Sequence, residues 1–313
     1  MKPSKSFPFP ISLLLIIGIV AISFSSIFIR WSNSPVSVSA MYRLTITALL
    51  MLPLLFPYRA SVRRMRLREW LELFASGLAL GLHFLLWMGS LRLTSVASST
   101  AITSLEPVFV LLGAWLLYRQ KTSWPAILSM GLAMFGALMI GWGDWGLTGS
   151  ALLGDALSLL GTAAVAAHML LGKRLLAHMP PFVYSFFVFV FAAVCTAGYN
   201  LALGIPLTGY PAREWGLFLL LALVPTVFGH YVFNWLLTYM RPETVSMSVL
   251  GEPVGATLLA YFLLGEAIGP RQAAAGLLLL LGVWLFIRTH EKEQPSIQPP
   301  LSVSNSNTDR SMN

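Results

Sequence analysis

The stretch that decides the fold occurs twice: LTSVASSTAITSLEPVFVLLGAWLLYRQ at residues 93–120 is similar to YMRPETVSMSVLGEPVGATLLAYFLLGEA at residues 239–267. At a shift of 146 residues, Glu106-Pro107 aligns with Glu252-Pro253. Both Glu-Pro pairs lie inside apolar sequence. The chain therefore contains an internal repeat, and each copy carries one acidic residue in a hydrophobic segment.

The chain as a whole is also strongly apolar. Of its 313 residues, 57% are hydrophobic and 10% are charged, and the mean hydropathy is +0.76. Soluble domains carry about 25% charged residues, and about 20 apolar residues in a helix cross a bilayer. We therefore predict an all-α integral membrane protein with ten transmembrane helices at residues 11–29, 37–57, 70–91, 96–117, 124–142, 151–171, 182–203, 214–237, 245–264 and 271–288.

The repeat groups these spans into two sets of five, at residues 11–142 and 151–288. An odd number of spans reverses the direction of the second set, so the prediction is two inverted five-helix repeats. Many secondary transporters have this plan, with a binding site near the midplane between the halves. Residues 1–10 and the polar tail at 289–313 are predicted to lie in the cytoplasm, and the tail lacks the apolar residues needed to fold.

The distribution of Lys and Arg predicts the orientation, because cytoplasmic loops are enriched in these residues. With the N-terminus inside, fifteen fall on the cytoplasmic side and four on the opposite side, and Arg43 lies within a span. Both termini are then cytoplasmic in a cell-membrane protein. The basic cluster at residues 59–68 is interpreted as an orientation signal beside anionic lipid rather than as a nucleic-acid site.

Glu106 and Glu252 are the two acidic residues predicted to lie deep in the membrane. A charge there costs about 2.5–3.5 kcal/mol on insertion scales, so a functional role in binding substrate or coupling protons is one interpretation. Each residue precedes a proline, which disfavours helix at the preceding position and predicts a local break. The competing interpretation is that a protonated Glu bonds the carbonyl groups that the proline leaves free.

Two histidines, His83 and His230, fall within one residue of corresponding positions in the repeat. They either pack through hydrogen bonds or line a shared polar cavity, where an imidazole can exchange protons. Trp87 and Asn234 each lie one helical turn further along and share a face with one histidine. These two side chains either contact the substrate or pack between helices.

Three further polar or reactive side chains lie within predicted spans. Arg43 either binds an anionic group or extends towards the membrane surface. His168 is interpreted as structural. The single cysteine, Cys195, is interpreted as a core residue that excludes an intrachain disulfide and a cysteine metal site.

The sequence does not predict an enzyme. The string Gly141-Trp142-Gly143-Asp144 matches part of the intramembrane aspartyl protease signature, but no second membrane aspartate accompanies it. HExxH, GxSxG and Walker motifs are absent from the sequence. No metal site or cofactor is predicted.

Five segments resemble the EamA-type permeases of the drug/metabolite transporter superfamily. They are FSSIFIRWSNSPVSVSAMYRLTITALLMLP from Phe24, LHFLLWMGSLRLTSVASST from Leu82, GDALSLLGTAAVAAHMLLGKRLL from Gly154, PTVFGHYVFNWLL from Pro225 and VLGEPVGATLLAYFLLGE ending at Glu266. The resemblance implies ten helices in two inverted repeats around a central cavity, and export of amino acids, other metabolites or toxic compounds. It does not specify the substrate.

One position departs from the family pattern. The second copy ends its Glu-Pro helix with Gly265-Glu266, whereas the first has Tyr118-Arg119-Gln120. Glu266 is therefore assigned to helix-end structure.

The sequence predicts a cytoplasmic-membrane permease that exports a small molecule by alternating access, with proton coupling through Glu106 or Glu252. The alternatives are an uncoupled facilitator and, from another class, a non-transporting membrane sensor or enzyme. Expected partners are the substrate, the lipid bilayer and protons, in a monomer or weak homo-oligomer. The candidate binding residues are His83, Trp87, Glu106, His230, Asn234, Glu252 and Arg43.

Overall fold

The computed structural model describes residues 11–94, 99, 102–141, 149–265 and 267–293. The regular structure in these ranges is entirely helical. We number the helices α1 (Ile11–Trp31), α2 (Val36–Arg63), α3 (Leu67–Ser90), α4 (Glu106–Tyr118), α5 (Trp124–Gly141), α6 (Gly149–Leu175), α7 (Pro181–Ala202), α8 (Ala212–Leu236), α9 (Pro242–Leu264) and α10 (Pro270–Glu293).

Length and composition make eight of these helices candidates for crossing a membrane, namely α1–α3 and α6–α10. The other two, α4 and α5, are apolar but shorter within the described residues. Because helices satisfy their own backbone groups, long apolar helices are the form in which a chain crosses hydrocarbon. The all-helical membrane class is confirmed, and the count of ten crossings stays a prediction.

Both predicted breaks at the Glu-Pro pairs are present. Turns at residues 104–105 and 250–251 precede helical segments that begin at Glu106 and Glu252. Each segment has 13 residues with proline at its second position, where the missing backbone donor is tolerated. Helix α9 therefore consists of two parts, Pro242–Val249 and Glu252–Leu264.

The two 13-residue segments also end in the same way. Arg119 follows the first with φ 54°, and Gly265 follows the second with φ 70°. A left-handed residue is a common helix terminator, and glycine adopts this conformation without steric cost. The first copy of the repeat thus places an arginine where the second places the preferred glycine.

This difference predicts that Arg119→Gly is more stable than Arg119→Ala. Both substitutions remove the guanidinium, but only glycine removes the Cβ that the left-handed conformation disfavours, by about 1 kcal/mol. Thermal unfolding of the detergent-solubilised protein is the measurement. Equal unfolding midpoints for the two variants would contradict a left-handed residue at this position.

Helix α8 is irregular at its centre. A π-helical stretch runs from Ala222 to Tyr231 around Pro225, which cannot donate a backbone hydrogen bond. The Thr226 hydroxyl donates to the carbonyl of Leu221 at 2.8 Å. A π segment of this kind is frequently found at functional sites.

Most helices of the bundle pack on one or two others. Helix α3 packs on α6 and α7, α1 packs on α8, and α2 packs on α7. The 13-residue segment of α4 packs on α6, while that of α9 packs on α1. Helices α5 and α10 pack on each other, and their apolar core includes Ala133, Leu279 and Phe286 together with Met247 and Leu250 of α9.

The structure corrects two predicted boundaries. Helix α2 continues through a 3₁₀ stretch to Arg63, and α10 continues to Glu293, past the predicted end at residue 288. At the second boundary the polar residues continue the helix hydrogen bonding, and Thr289 Oγ1 donates to the carbonyl of Leu285 at 2.8 Å. The predictions for residues 1–10, Asp144, Glu266 and the tail from residue 294 lie outside the described residues.

Candidate functional site: a cavity inside the helical bundle

A cavity of about 790 Å³ lies among α1, α3, α4, α6, α8 and α9. At one end, here called the Arg92 end, its lining includes Arg92 and the exposed side chain of Gln272. At the other end it stops at His168 and Asn234, which are only 2% and 3% exposed. The cavity is therefore a pocket that is accessible from the Arg92 end and closed at the other.

Glu106 and Glu252 both line the cavity, each in the first turn of its 13-residue segment. Glu106 is 4% exposed, and Ser246 donates a hydrogen bond of 2.7 Å to its carboxylate. Glu252 is partly buried, and Ser23 donates to its backbone carbonyl at 3.3 Å. Helix N-termini favour negative charge, so the broken helices provide suitable positions for two carboxylates.

His83 and Trp87 form one wall of the cavity. Their rings lie nearly parallel, 6° apart in orientation with centroids separated by 5.9 Å. His83 Nδ1 donates to the carbonyl of Gly161 at 3.0 Å, while the buried indole nitrogen of Trp87 has no hydrogen-bond partner among the described residues. The wall thus offers an aromatic surface and an unused N–H donor.

His230 and Asn234 line the cavity from α8. The His230 ring meets Phe84 edge to face at 5.2 Å, and Phe84 itself lines the cavity. Six of the seven candidate residues therefore line one cavity: His83, Trp87, Glu106, His230, Asn234 and Glu252.

Arg43 is the exception. It is 0% exposed and does not line the cavity. Its guanidinium carbon lies 4.5 Å from the centroid of the Phe84 ring, which separates it from the open space. The interpretation that Arg43 extends to the membrane surface is wrong, because the side chain is fully enclosed by neighbouring helices.

A hydrogen-bonded network, here called the His168 floor, closes the inner end of the cavity. It consists of Ser76, His168, Tyr184, Ser185 and Asn234. His168 Nε2 donates to the Asn234 amide oxygen at 3.2 Å, and Nδ1 lies 2.9 Å from the Ser76 hydroxyl. Tyr184 lies 2.8 Å from the same hydroxyl. Four helices, α3, α6, α7 and α8, are joined by this layer.

Beyond the floor, Lys173 closes the same end of the bundle. Its ammonium donates to the carbonyls of Leu237 and Met240, both at 2.9 Å. These carbonyls follow the end of α8, where a cation is favourable. Arg174 adds an ion pair with Glu72 at 3.3 Å, so α6 is tied to both α8 and α3.

The described residues contain no group of three or more His, Cys, Asp or Glu side chains suited to a metal ion. The chemistry available in the cavity is therefore that of two carboxylates, neutral or charged imidazoles, hydroxyls and aromatic rings. Such groups can bind a solute or exchange protons.

Many membrane transporters are multi-pass helical proteins with broken helices around a binding site near the bilayer midplane, and this structure has that plan. The EamA-like transporter family matches this chain twice, at residues 9–142 and 152–288. The chain belongs to that family, as its motifs predicted, and membership of the drug/metabolite transporter superfamily fits. Membership of a transporter family is also consistent with a protein that is not an enzyme.

Two individual proteins are similar to this chain. An uncharacterized transporter from Archaeoglobus fulgidus is 25% identical over 206 residues, covering 66% of this chain and 72% of that protein. A solved crystal structure of a protein superposes with a TM-score of 0.76 at 16% identity, covering 91% of this chain and 99% of that one. The second likeness concerns the fold alone.

Proposed function

We propose that the protein is a secondary transporter of the cytoplasmic membrane that exports a small metabolite, such as an amino acid, or a toxic compound by alternating access. The observation that carries this proposal is the cavity, which is accessible at the Arg92 end and closed at the His168 floor. A solute site reached from one side at a time is what alternating access requires. The cavity lining described here comes from one chain, and the proposed assembly is a monomer or a weak homo-oligomer.

We further propose ten spans in two inverted five-helix repeats, at residues 11–142 and 151–288. Equal 13-residue segments after the two breaks support this arrangement. The packing supports it too, because the α9 segment lies on α1 as the α4 segment lies on α6, the first helix of the second repeat.

The proposed orientation places both termini in the cytoplasm, which follows from the Lys and Arg distribution. The Arg92 end then faces outward, and Lys173 lies at the cytoplasmic side. In this orientation the structure represents an outward-facing state.

Proton coupling is proposed to use Glu106 or Glu252, because both carboxylates line the cavity. An uncoupled facilitator is the second candidate. The hydrogen bond from Ser246 to Glu106 favours the facilitator, because it gives this carboxylate a structural role. Accumulation that does not respond to an imposed pH gradient would identify the facilitator.

The experiment that tests transport compares metabolites inside and outside cells with and without the protein, followed by flux of the enriched compounds into liposomes containing it. Protein-dependent flux of at least one compound is expected. If no member of a broad panel moves faster than in protein-free liposomes, transport itself is wrong.

Lys173→Met is expected to shift the conformational equilibrium away from the outward-facing state. The substitution removes two charge-assisted hydrogen bonds to Leu237 and Met240, each worth about 1.5–3 kcal/mol. The readout is the labelling rate of Ala256→Cys, a cavity position, by an impermeant thiol reagent added outside a Cys195→Ser background. We expect labelling to slow by about threefold or more.

Arg64→Met is the matched control for Lys173→Met. It also removes one positive charge from the proposed cytoplasmic side, but Arg64 is exposed at the end of α2. Its labelling rate should equal that of the parent protein. An unchanged rate in Lys173→Met as well would show that Lys173 does not hold the closed end.

A further inference from the structure

The hydrogen bonds of the His168 floor follow one direction around a ring. An amide oxygen can only accept, so His168 Nε2 carries the hydrogen that Asn234 Oδ1 accepts at 3.2 Å. In a neutral imidazole Nδ1 is then an acceptor, and the Ser76 hydroxyl donates to it at 2.9 Å. Tyr184 donates to the Ser76 hydroxyl at 2.8 Å. The Asn234 amide nitrogen donates to Ser185 at 3.4 Å, which returns the ring to α7 beside Tyr184.

One bond of this ring is reached from the cavity. The three members that are fully buried and do not line the cavity are Ser76, Tyr184 and Ser185. A Cβ added at Gly172 would lie 2.5 Å from the Tyr184 hydroxyl, so glycine at this position leaves room for that group. His168 and Asn234 both line the cavity. Their mutual hydrogen bond is therefore the bond of the floor that has both partners in the cavity lining.

Opening the closed end of the cavity requires the floor helices to separate, and separation breaks the ring. The imidazole N–H and the amide oxygen would then lack partners inside an apolar bundle, which is strongly unfavourable for buried polar groups. A solute in the cavity prevents this loss if it replaces the missing partner. It must then accept from His168 Nε2 and donate to Asn234 Oδ1, so its polar group carries both an acceptor and a donor.

The polar members of the ring align with apolar residues in the other half of the chain. At the shift of 146 residues that aligns the two Glu-Pro pairs, the positions of His168, Ser76 and Tyr184 fall on buried apolar side chains. These are, in the same order, Ile22, Ala222 and Val38. The polar ring is therefore not a product of the repeat itself.

We propose that the hydrogen bond between His168 and Asn234 is the release point of the closed end, and that it parts when a solute whose polar group both donates and accepts hydrogen bonds takes the place of one partner. This inference rests on the proposed function for its role in transport. His168 and Asn234 thereby determine which solutes open the closed end. Ser76 and Tyr184 act through the imidazole and are positioning residues.

Access to the cavity from its closed end tests this proposal without a transport measurement. Ala256→Cys, a cavity position, is labelled in a Cys195→Ser background by an impermeant thiol reagent applied to membrane vesicles of either orientation. The side that labels the parent protein quickly is the Arg92 end, and labelling from the other side is the readout. We expect this rate to rise by about tenfold in His168→Ala and by about threefold in Tyr184→Phe.

Tyr42→Phe is the matched control for Tyr184→Phe. It also removes one phenolic hydroxyl that donates a hydrogen bond, here to the carbonyl of Leu207, but Tyr42 lies outside both the cavity lining and the floor. Its closed-end labelling rate should equal that of the parent protein. Tyr184→Phe keeps the aromatic ring and provides the measurement if His168→Ala does not fold. Parent-like closed-end labelling in the floor variants would overturn the proposal.

Imidazole and 1-methylimidazole test whether the floor recognises a donor and an acceptor together. Both compounds resemble the side chain missing from His168→Ala and both accept a hydrogen bond, but only imidazole has an N–H to donate to Asn234. At about pH 8, where neutral imidazole predominates, imidazole should return the closed-end labelling rate of His168→Ala towards the parent value. 1-Methylimidazole should leave the rate high, and neither compound should change the rate of Tyr184→Phe.

The outcome of this rescue decides whether the bond responds to a solute. Absence of rescue by imidazole, or equal rescue by both compounds, would overturn the proposal. Because no step measures flux, such a failure is distinguishable from failure of the proposed function. A protein that shows protein-dependent flux without imidazole rescue would still be a transporter, with a different release point.

Discussion

Glu252→Gln and Glu106→Gln, combined in one protein, are expected to reduce pH-gradient-driven accumulation of substrate to the level of protein-free liposomes. Glutamine keeps the shape of a protonated Glu and its ability to accept from Ser246, but it cannot release a proton. The cavity and the helix breaks should therefore persist, while the coupling step is lost. Exchange of labelled for unlabelled substrate without a gradient should continue.

The single variants then separate the two carboxylates. If one carboxylate alone exchanges the proton, its Gln variant should abolish accumulation, and the Gln variant of the other should retain most of it. Glu69→Gln is the control, since Glu69 caps the start of α3 by accepting from the backbone of Arg66 and lies outside the cavity. Unchanged flux and unchanged pH dependence in the double variant would falsify proton coupling by these residues and favour the facilitator.

The sequence predicted those parts of the structure that depend on local signals. Hydropathy located the long helices, and proline located the breaks before Glu106 and Glu252, because each signal acts within a few residues of where it occurs. Cavity residues were also recognisable where their residue type is rare inside membrane spans. A histidine or glutamate inside an apolar span is costly, so His83, Glu106, His230 and Glu252 were identified by composition alone.

The parts that were missed depend on which way each helix faces. Ser76, Tyr184 and Ser246 carry hydrogen bonds of the site, yet serines and tyrosines are common in the spans and give no individual signal. Lipid and protein interior are both apolar, so hydropathy does not show which face of a membrane helix points inward. For this reason the burial of Arg43 behind Phe84 was also beyond sequence analysis.

Helices α5 and α10 approach each other closely, and this contact predicts a large effect of substitution on the stability of the protein. A Cβ added at Gly136 on α5 would lie 2.5 Å from the backbone nitrogen of Leu279 and 2.8 Å from the carbonyl oxygen of Ala275, both on α10. Gly282 on α10 approaches the backbone of Ala133 on α5 in the same way. Small residues at such contacts let membrane helices pack closely, and this packing is their main source of association energy.

Gly136→Ala is therefore expected to destabilise the protein by about 1–3 kcal/mol or more, the range for overpacking a well-packed core. Thermal unfolding and the yield of folded protein in detergent are the measurements. Gly131→Ala on the same helix is the matched control, because a Cβ there meets nothing within 4 Å, and it should be neutral or slightly stabilising. Truncation of the Leu279 side chain should not rescue Gly136→Ala, because the obstructing atoms belong to the backbone.

Equal stability of the two alanine variants would show that α5 and α10 do not pack this closely. No α5 residue lines the cavity, so the fraction of Gly136→Ala that folds should transport at the parent rate per molecule.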